Sequence, residues 1–490
     1  MTGGSAAHPH DSRDARARAS GLNPRESLFI SRNVPVRMTD FDVLVIGGGT
    51  GNNVAAAAAD AGLETALVEP GPLGGTCLNR GCNPSKMLIQ AANAVRHVRE
   101  ADRFHVDATF EGIDHGAVVN DMDDLLGGIA ADMEVRYRER DHLTLFDEYT
   151  SFVGERAVDL GGETVTAEKI VVATGSRPVV PPIDGLDEIE YLTSREALYL
   201  DELPGSLVVM GGGYIAVELG YVFETMGTDV SIVEMNDTLI HREDGDIASA
   251  FTDIAAERHD VYTGHRAAAV ERSGDGYAVR AETEAGDETL VEGEAVLLAL
   301  GRRPNTDELG LDAAGIGTDD RGFVETDEYL ETTAENVWAQ GDVAGNAMFK
   351  HSGDYETRHT VANVVEGERR ALDLSAMPHT IFTDPQIAGV GATAERLDEE
   401  GTAYVVGRAD YADSAMGRAK KLDDGFMKVL AAPDGEILGV HAIGYEASTL
   451  VHEAVVAMRH GLTVDDIVDT IHAHPTLSKV VEAAFRDVGN

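Results

Sequence analysis

Cys77 and Cys82 are the only cysteines of the chain, and they lie five residues apart in the segment GGTCLNRGCNPSK of residues 74–86. A secreted protein stapled by disulfides would contain more cysteines. A structural zinc site needs about four ligands, and no histidine stands beside this pair, so no metal site is expected. A helix N-terminus favours the thiolate over the thiol. The spacing therefore predicts a catalytic dithiol.

A glycine-rich turn follows a β-rich run over residues 41–46. Gly47 and Gly49 permit a tight turn and let a pyrophosphate approach the N-terminus of the next helix. Asn52 occupies the position of the third glycine in the usual GxGxxG pattern. Glu69 stands at the end of the second strand, where an acid about 20 residues on binds a ribose hydroxyl. This β-α-β unit predicts a dinucleotide site.

The same pattern occurs again about 165 residues later. Gly211, Gly213 and Ala216 follow a predicted strand, and Glu234 ends the next one. Two such units in one chain predict two dinucleotides, of which one is a resident flavin and the other a diffusible hydride donor. Beyond them, short alternating strands fill residues 271–300. Strands followed by two amphipathic helices indicate a separate α+β region from about residue 377.

The composition is strongly acidic, with 86 Asp and Glu against 39 Lys and Arg and a formal net charge of −47. This sign argues against a nucleic-acid partner. The acids are spread along the whole chain and only seven basic residues are lysine, as in proteins of salt-accumulating halophiles. No apolar run reaches about 18 residues and the N-terminus lacks a signal peptide, so no membrane partner and a cytoplasmic location are expected.

From residue 41 onward the sequence resembles the pyridine nucleotide–disulfide oxidoreductases of the glutathione reductase and dihydrolipoyl dehydrogenase type. The cysteine segment carries the resemblance together with ATGSRP (173–178), LGRRPN (300–305), AQGDVAG (339–345), FTDPQIAGVG (382–391) and HAHPTLSK (472–479). It implies an α/β fold with two Rossmann-like domains, for FAD and for NAD(P), and a C-terminal α+β dimerisation domain. The expected parts are a disordered tail (1–37), the FAD-binding domain in two parts (38–188 and 306–375), the NAD(P)-binding domain (189–305) and the dimerisation domain (376–490).

The resemblance also implies a role for each matching residue. Cys77 corresponds to the thiol that attacks the substrate disulfide, and Cys82 to the thiol that lies against the flavin. Lys86 corresponds to the lysine beside flavin N5, and Glu218 to the glutamate that pairs with it. Tyr214 corresponds to the aromatic residue that gates the nicotinamide pocket.

His474 corresponds to the acid/base that protonates the leaving thiol. In the family this histidine acts on the partner subunit's site, so an obligate homodimer is implied. The family places glutamate five residues later, whereas Lys479 stands here, which leaves Glu482 or a backbone carbonyl to orient the imidazole. We also expect Lys479 to attract substrate carboxylates.

Asp342 corresponds to the acid that holds the flavin ribityl chain. The other expected cofactor contacts are Gly75, Thr76, Thr174, Gly175, Arg242 and Gly301.

Three activities within the family compete. Mercuric ion reductase needs a second cysteine pair near the C-terminus, which this chain lacks. Dihydrolipoyl dehydrogenase is favoured by the HPTLS segment and by Glu234, an acid typical of NAD sites. Asn52 and the segment FKHSGDYE (349–356) look more like the mycothiol-disulfide reductase branch. Because the composition indicates a halophile, the leading prediction is a bis-γ-glutamylcystine reductase, and dihydrolipoyl dehydrogenase is the alternative.

NADPH is the expected nucleotide, with Arg242 and His241 near its phosphate, and NADH is the alternative.

Overall fold

The computed structural model describes residues 39–489, with side chains from residue 41 onward. The tail predicted to be disordered, residues 1–37, lies outside the described residues. Within the described range, no helix combines the length and the apolar character that crossing a membrane requires. The bounds of the strands and helices in this range follow.

The strands are β1 (Thr39–Ile46), β2 (Thr65–Val68), β3 (Leu143–Phe146), β4 (Thr150–Gly154), β5 (Ala157–Leu160), β6 (Glu163–Val172), β7 (Ser176–Pro178), β8 (Ser206–Met210), β9 (Asp229–Val233), β10 (Asp260–Tyr262), β11 (His265–Ser273), β12 (Gly276–Thr283), β13 (Glu288–Gly293), β14 (Ala295–Leu298), β15 (Arg302–Pro304), β16 (Val337–Ala339), β17 (Pro378–Ile381), β18 (Gln386–Gly391), β19 (Val405–Asp410), β20 (Phe426–Ala431) and β21 (Ile437–Gly444).

The α-helices are α1 (Gly51–Asp60), α2 (Gly75–Arg80), α3 (Cys82–Arg99), α4 (His115–Arg138), α5 (Ser194–Ala197), α6 (Tyr214–Met226), α7 (Gly245–Ala256), α8 (Leu311–Ala314), α9 (Lys350–Val364), α10 (Ala394–Glu400), α11 (Ala415–Lys420), α12 (Ala447–Arg459), α13 (Val464–Asp469) and α14 (Ser478–Arg486).

The first sheet has the strand order β3-β2-β1-β6-β5-β4, and β16 pairs with β6. Strands β1, β2, β3, β6 and β16 run parallel to one another, whereas β5 pairs antiparallel with both β6 and β4. The apolar runs of β1, β2, β16 and the end of β6 are buried on both faces, as is usual where helices cover both sides of a parallel sheet. Because β16 lies about 165 residues after β6, the chain leaves this sheet and later returns to it.

The second nucleotide-binding unit contains a parallel sheet of four strands in the order β10-β9-β8-β14. A three-stranded antiparallel sheet, β11-β12-β13, follows in the chain, and a small sheet pairs β15 with β7. In both units the helix that follows the glycine turn, α1 or α6, packs its small and apolar residues on the sheet. The turns therefore lie at the carboxyl ends of β1 and β8, where ligands of such sheets bind.

The C-terminal region has a five-stranded antiparallel sheet in the order β17-β18-β21-β20-β19. Helix α12 buries Leu450, Val451 and Ala454 against this sheet, with the spacing of three and four residues that gives one apolar helix face. The predicted fold class, an α/β protein with two Rossmann-like units and a C-terminal α+β region, is confirmed. The residue limits given for the domains stay a prediction.

Candidate active site

The two cysteines stand on two successive helices rather than at the start of one. Cys77 lies inside the short helix α2, and Cys82 is the first residue of the 18-residue helix α3. Gly81 separates the helices with φ −152° and ψ −110°, and a Cβ there would lie 2.9 Å from the carbonyl oxygen of Thr76. Both cysteines are free thiols in the structure, and the Cys77 sulfur is 3.8 Å from Asn83 Oδ1.

An ion pair between two helices lies one turn beyond Cys82. Lys86 Nζ is 2.6 Å from Glu218 Oε2, which comes from α6. The other carboxylate oxygen of Glu218 accepts a 2.8 Å hydrogen bond from the backbone N–H of Phe382. The Lys86 ammonium also lies 4.5 Å from the centre of the Phe382 ring. The Glu218 side chain is mostly buried and that of Lys86 is partly buried, so loss of Lys86 leaves a mostly buried carboxylate without its partner charge.

A hydrogen bond between the thiols separates their pKa values. The Cys77 S–H donates to the Cys82 sulfur, which raises the pKa of Cys77 above its usual range, and burial raises it further. The same bond, with the Lys86 ammonium, lowers the pKa of Cys82 to about 7 against the opposing effect of burial. At neutral pH about half of Cys82 is therefore thiolate, while Cys77 stays a thiol.

We expect the two-electron-reduced, flavin-loaded protein to show the long-wavelength absorbance of a thiolate against flavin above about pH 7. Below that pH the band should fade, because Cys82 takes up a proton. In Lys86→Met the thiolate loses a neighbouring positive charge, so the midpoint should rise by about one pH unit. A spectrophotometric pH titration of the two proteins measures both midpoints.

Lys86→Arg is the matched control, because it keeps the positive charge and should titrate close to the unchanged protein. A Lys86→Met midpoint that coincides with that of the unchanged protein would show that the ammonium does not stabilise the Cys82 thiolate.

The first glycine turn is held by the acid that the sequence places after β2. Gly48 N–H donates to Glu69 Oε2 at 2.7 Å, and burial raises the pKa of Glu69. Gly47 has φ +114°, and a Cβ there would lie 2.2 Å from the carbonyl oxygen of Ala173. The backbones of Gly49 and Gly75 approach so closely that a Cβ on Gly75 would meet the Gly49 Cα at 2.6 Å. These glycines form a cradle in which a side chain at position 47 or 75 would collide with backbone atoms, and its open backbone suits a pyrophosphate.

Asn52 and Thr76 flank this cradle differently. Asn52 is buried in the first turn of α1, and its Nδ2 donates to the carbonyl of Gly48 at 3.2 Å. Its Oδ1 has no hydrogen-bond partner among the described residues. Thr76 is exposed beside Cys77.

The second turn repeats the arrangement of the first. Gly212 N–H donates to Glu234 Oε2 at 2.5 Å, and Asn236 N–H donates to Glu234 Oε1 at 2.8 Å. Gly211 has φ +105°, Gly213 is the N-cap of α6, and Ala216 is buried in the first turn of that helix. Arg242 is exposed on the loop that follows β9. Each unit therefore pairs one glycine turn with one carboxylate.

Asp342 lies on a short 3₁₀ turn, Gly341–Val343, after β16. It accepts a short hydrogen bond from Ser176 Oγ, and Arg302 Nε lies 3.8 Å from its Oδ2 atom. Glu356, which the sequence analysis missed, is fully buried behind this turn. It accepts from Gly341 N–H at 2.5 Å, and burial raises its pKa to about 7.

Thr174, Gly175 and Gly301 meet at the small sheet of β7 and β15. Thr174 Oγ1 donates to the carbonyl of Asn305 at 3.0 Å, and Asn305 N–H donates to the carbonyl of Gly175 at 3.0 Å. Val179 N–H donates to the carbonyl of Gly301 at 2.9 Å. These residues connect the end of β6 with the end of β14, one strand from each parallel sheet.

The expected acid/base, His474, is exposed on the loop between α13 and α14, and it has no hydrogen-bond partner among the described residues. The neighbouring His472, by contrast, does have a hydrogen-bond partner: its Nε2 atom lies 2.6 Å from Glu453 Oε1. Glu482 pairs with Lys479 and with Arg486, and its nearest histidine nitrogen is Nδ1 of His472 at 3.9 Å. Within one subunit, Lys479 is therefore engaged by a carboxylate.

Lys350 is a second site residue that the sequence analysis missed. It begins α9 and forms an ion pair with Asp354 one turn on. The charges of both residues act on the Cys77 thiol, where Lys350 lowers the pKa and Asp354 raises it. The sequence could have indicated this residue, because lysine is rare here: Lys350 is one of only seven lysines in a chain of net charge −47.

Two family models match the chain. Residues 41–367 match the pyridine nucleotide-disulphide oxidoreductase model, and residues 377–485 match the model of its dimerisation domain. The dihydrolipoyl dehydrogenase of Halobacterium salinarum is 38% identical over 463 residues, which cover 92% of this chain and 97% of that protein. The mercuric reductase of Staphylococcus aureus is 32% identical over 458 residues, which cover 91% of this chain and 82% of that protein.

A solved structure shows the same arrangement of elements. The HOCl-induced flavoprotein disulfide reductase RclA from Escherichia coli is similar with a TM-score of 0.81 and 27% sequence identity. The alignment covers 91% of this chain and 99% of that one.

Proposed function

Because the chain belongs to the pyridine nucleotide-disulphide oxidoreductase family, whose members use FAD and a pyridine nucleotide, we propose that it reduces a small disulfide with electrons from NAD(P)H. A bound FAD would supply the electrons to the Cys77–Cys82 pair, which would pass them to the substrate disulfide. The observation that carries this proposal is the Cys82 thiol, whose pKa is lowered to about 7 beside the Lys86–Glu218 ion pair. A thiolate at neutral pH is what disulfide exchange requires.

The residues of the first unit fit FAD. In the cradle of Gly47, Gly49 and Gly75, a side chain at position 47 or 75 would collide with backbone atoms, and Glu69 offers a carboxylate for a ribose. Asp342 would hold the ribityl chain. When bound, FAD carries two electrons from the nicotinamide to the disulfide. Gly211, Gly213, Ala216 and Glu234 would hold the nucleotide.

The cysteines and one histidine perform the exchange. Two electrons and one proton open the Cys77–Cys82 disulfide into the thiol of Cys77 and the thiolate of Cys82. His474 of the partner subunit takes the Cys77 proton as this sulfur attacks the substrate disulfide, and then gives a proton to the first leaving thiol. The Cys82 thiolate attacks the Cys77 sulfur of the mixed disulfide, which reforms the internal disulfide, and the second thiol leaves with a proton from solvent. The sum is NAD(P)H + H⁺ + RSSR → NAD(P)⁺ + 2 RSH.

We propose bis-γ-glutamylcystine as the disulfide. The acidic, lysine-poor composition is typical of halophiles, and the haloarchaeal relatives fit this source. The substrate carries four carboxylates, and Lys350 places a rare positive charge near Cys77. Lys479 remains a candidate for binding a carboxylate only if the substrate displaces Glu482 from it.

Steady-state kcat/KM in molar KCl tests this choice. Bis-γ-glutamylcystine, lipoamide and oxidised glutathione are compared, each with NADPH and with NADH. We expect bis-γ-glutamylcystine to exceed the other two by at least about tenfold, since a desolvated charge pair contributes a discrimination of this order. Equal or higher kcat/KM for lipoamide would reject the proposed substrate while leaving the disulfide reductase function intact.

The second candidate function is that of a dihydrolipoyl dehydrogenase. Glu234 favours it, because a buried carboxylate at the ribose position repels a 2′-phosphate and so selects NADH. We propose NADPH for the small-thiol reductase, with the exposed Arg242 available to the phosphate. A preference for lipoamide with NADH would establish the second candidate.

A further inference from the structure

The hydroxyl group of Tyr214, in the second nucleotide-binding unit, is hydrogen-bonded to a buried carboxylate. Tyr214 begins α6, and its O–H donates a short hydrogen bond to Glu243 Oε1. The Glu243 side chain is only 1% exposed, and its other oxygen lies 2.7 Å from His379 Nε2. The His379 ring also stacks on the Tyr214 ring, with centroids 6.4 Å apart and an interplanar angle of 21°. One buried carboxylate therefore joins Tyr214 to His379. We call these three residues the tyrosine latch.

His379 is part of a row that crosses the C-terminal sheet. In register, His379 of β17 faces Gly389 of β18, which faces His441 of β21. A Cβ on Gly389 would lie 2.7 Å from His379 Cε1 and 2.8 Å from His441 Nδ1. The glycine therefore leaves the space in which the His379 ring lies against Glu243 and Tyr214.

The same row fixes the acidic segment that carries Glu243. Lys428 of β20 faces His441 in register, and its Nζ lies 2.8 Å from Asp244 and 2.6 Å from Asp246. Asp244 also caps α7. The segment of residues 243–246 is therefore held by the C-terminal sheet as well as by its own loop, in which Glu243 N–H donates to the carbonyl of Ile240 at 2.8 Å.

We propose that Glu243 and His379 hold Tyr214 in the closed position over the nicotinamide pocket, and that the nucleotide must break the Tyr214–Glu243 bond to bind. The inference rests on the proposed function, in which Tyr214 gates this pocket. A hydrogen bond to a charged carboxylate is stronger than one between neutral groups. Only enzyme molecules with Tyr214 in the open position can bind the nucleotide. The larger the closed fraction of the enzyme, the weaker is its apparent affinity for the nucleotide.

Two variants release the latch in different ways. Tyr214→Phe removes only the hydroxyl oxygen, and Glu243→Gln replaces the charged acceptor by a neutral amide. In each, the KM for NAD(P)H should fall by about three- to tenfold, a larger change than that in kcat. The assay follows reduction of ferricyanide by the flavin-loaded enzyme. Ferricyanide takes electrons from the reduced flavin without the cysteines, so the result does not depend on whether the enzyme reduces any disulfide.

Coupling and a matched control complete the test. The double variant should show the KM of Tyr214→Phe alone, because without the tyrosine hydroxyl the change at position 243 has no Tyr214–Glu243 bond left to weaken. His379→Gln should lower KM in the same direction. Tyr221→Phe is the control, since Tyr221 also lies on α6 and donates to the neutral Asn93 Oδ1 at 2.6 Å; its KM should stay unchanged. Should Glu243→Gln fail to fold, Tyr214→Phe decides alone.

The latch is rejected by any of three results. These are an unchanged or raised nucleotide KM in Tyr214→Phe, effects that add in the double variant, or a fall of equal size in Tyr221→Phe. Failure of disulfide reduction with a lowered ferricyanide KM would reject the proposed function and keep the latch.

Discussion

Replacing Cys77 with serine is expected to abolish disulfide reduction and to leave the reduction of bound flavin by NAD(P)H intact. Serine cannot form the internal disulfide or a mixed disulfide with the substrate, so kcat should fall on the order of 10³-fold or more. The flavin step needs neither bond. Steady-state turnover and stopped-flow bleaching of the flavin measure the two halves separately.

Cys82→Ser is the comparison that separates the two sulfurs. Both variants should lose turnover, but only Cys77→Ser should keep the long-wavelength absorbance, because Cys82 supplies the thiolate. The serine hydroxyl at position 77 can still donate to the Cys82 sulfur, as the Cys77 thiol does. Turnover that survives in Cys77→Ser would refute the role of Cys77 as the attacking thiol. A long-wavelength band that survives only in Cys82→Ser would show that the roles of the two cysteines are exchanged.

Replacing His474 with glutamine is expected to lower kcat/KM for the disulfide by about 10²- to 10⁴-fold, the range of a lost general acid/base. The Cys77 thiol has a raised pKa, so it needs a base before it can attack. Flavin reduction by the nucleotide should remain as fast as in the unchanged enzyme. His460→Gln is the control, because His460 is an exposed histidine of the same C-terminal region.

A mixing experiment tests whether His474 serves the partner's site. When Cys77→Ser and His474→Gln subunits are denatured together and refolded at equal amounts, half of the dimers should be hybrids. Each hybrid has one intact site, so about a quarter of the unchanged activity should return. If Cys77 and His474 of the same subunit formed a site, mixing would restore nothing.

The two units of glycine turn and carboxylate could be predicted from the sequence because their parts lie close together along the chain. Each needs a buried strand, a glycine turn, a helix and a second strand that ends in an acid, all within about 30 residues. Glu69 and Glu234 were located in this way, and both lie at hydrogen-bonding distance from their turns. The break at Gly81 was missed, although Gly81 and Pro84 disfavour one continuous helix over residues 75–99.

Contacts between distant segments could not be predicted from residue patterns alone. Lys86 and Glu218 are 132 residues apart and were paired only through the family resemblance. Glu243 and His379 are 136 residues apart, and neither belongs to a recognised motif. Their meeting depends on how the C-terminal sheet packs against the second unit, which is a property of the tertiary structure.

The exposed loop that carries His474 has a further consequence, which concerns protein concentration. If each site takes its thiols from one chain and its acid from another, isolated subunits are inactive, and activity follows the mass-action equilibrium of assembly. Specific activity per chain should then fall on dilution below the dissociation constant of the dimer. In a chain of net charge −47, salt screens the repulsion between subunits, so molar KCl should shift this threshold to lower concentration. The ionic composition of the cell would thereby set the active fraction of the enzyme.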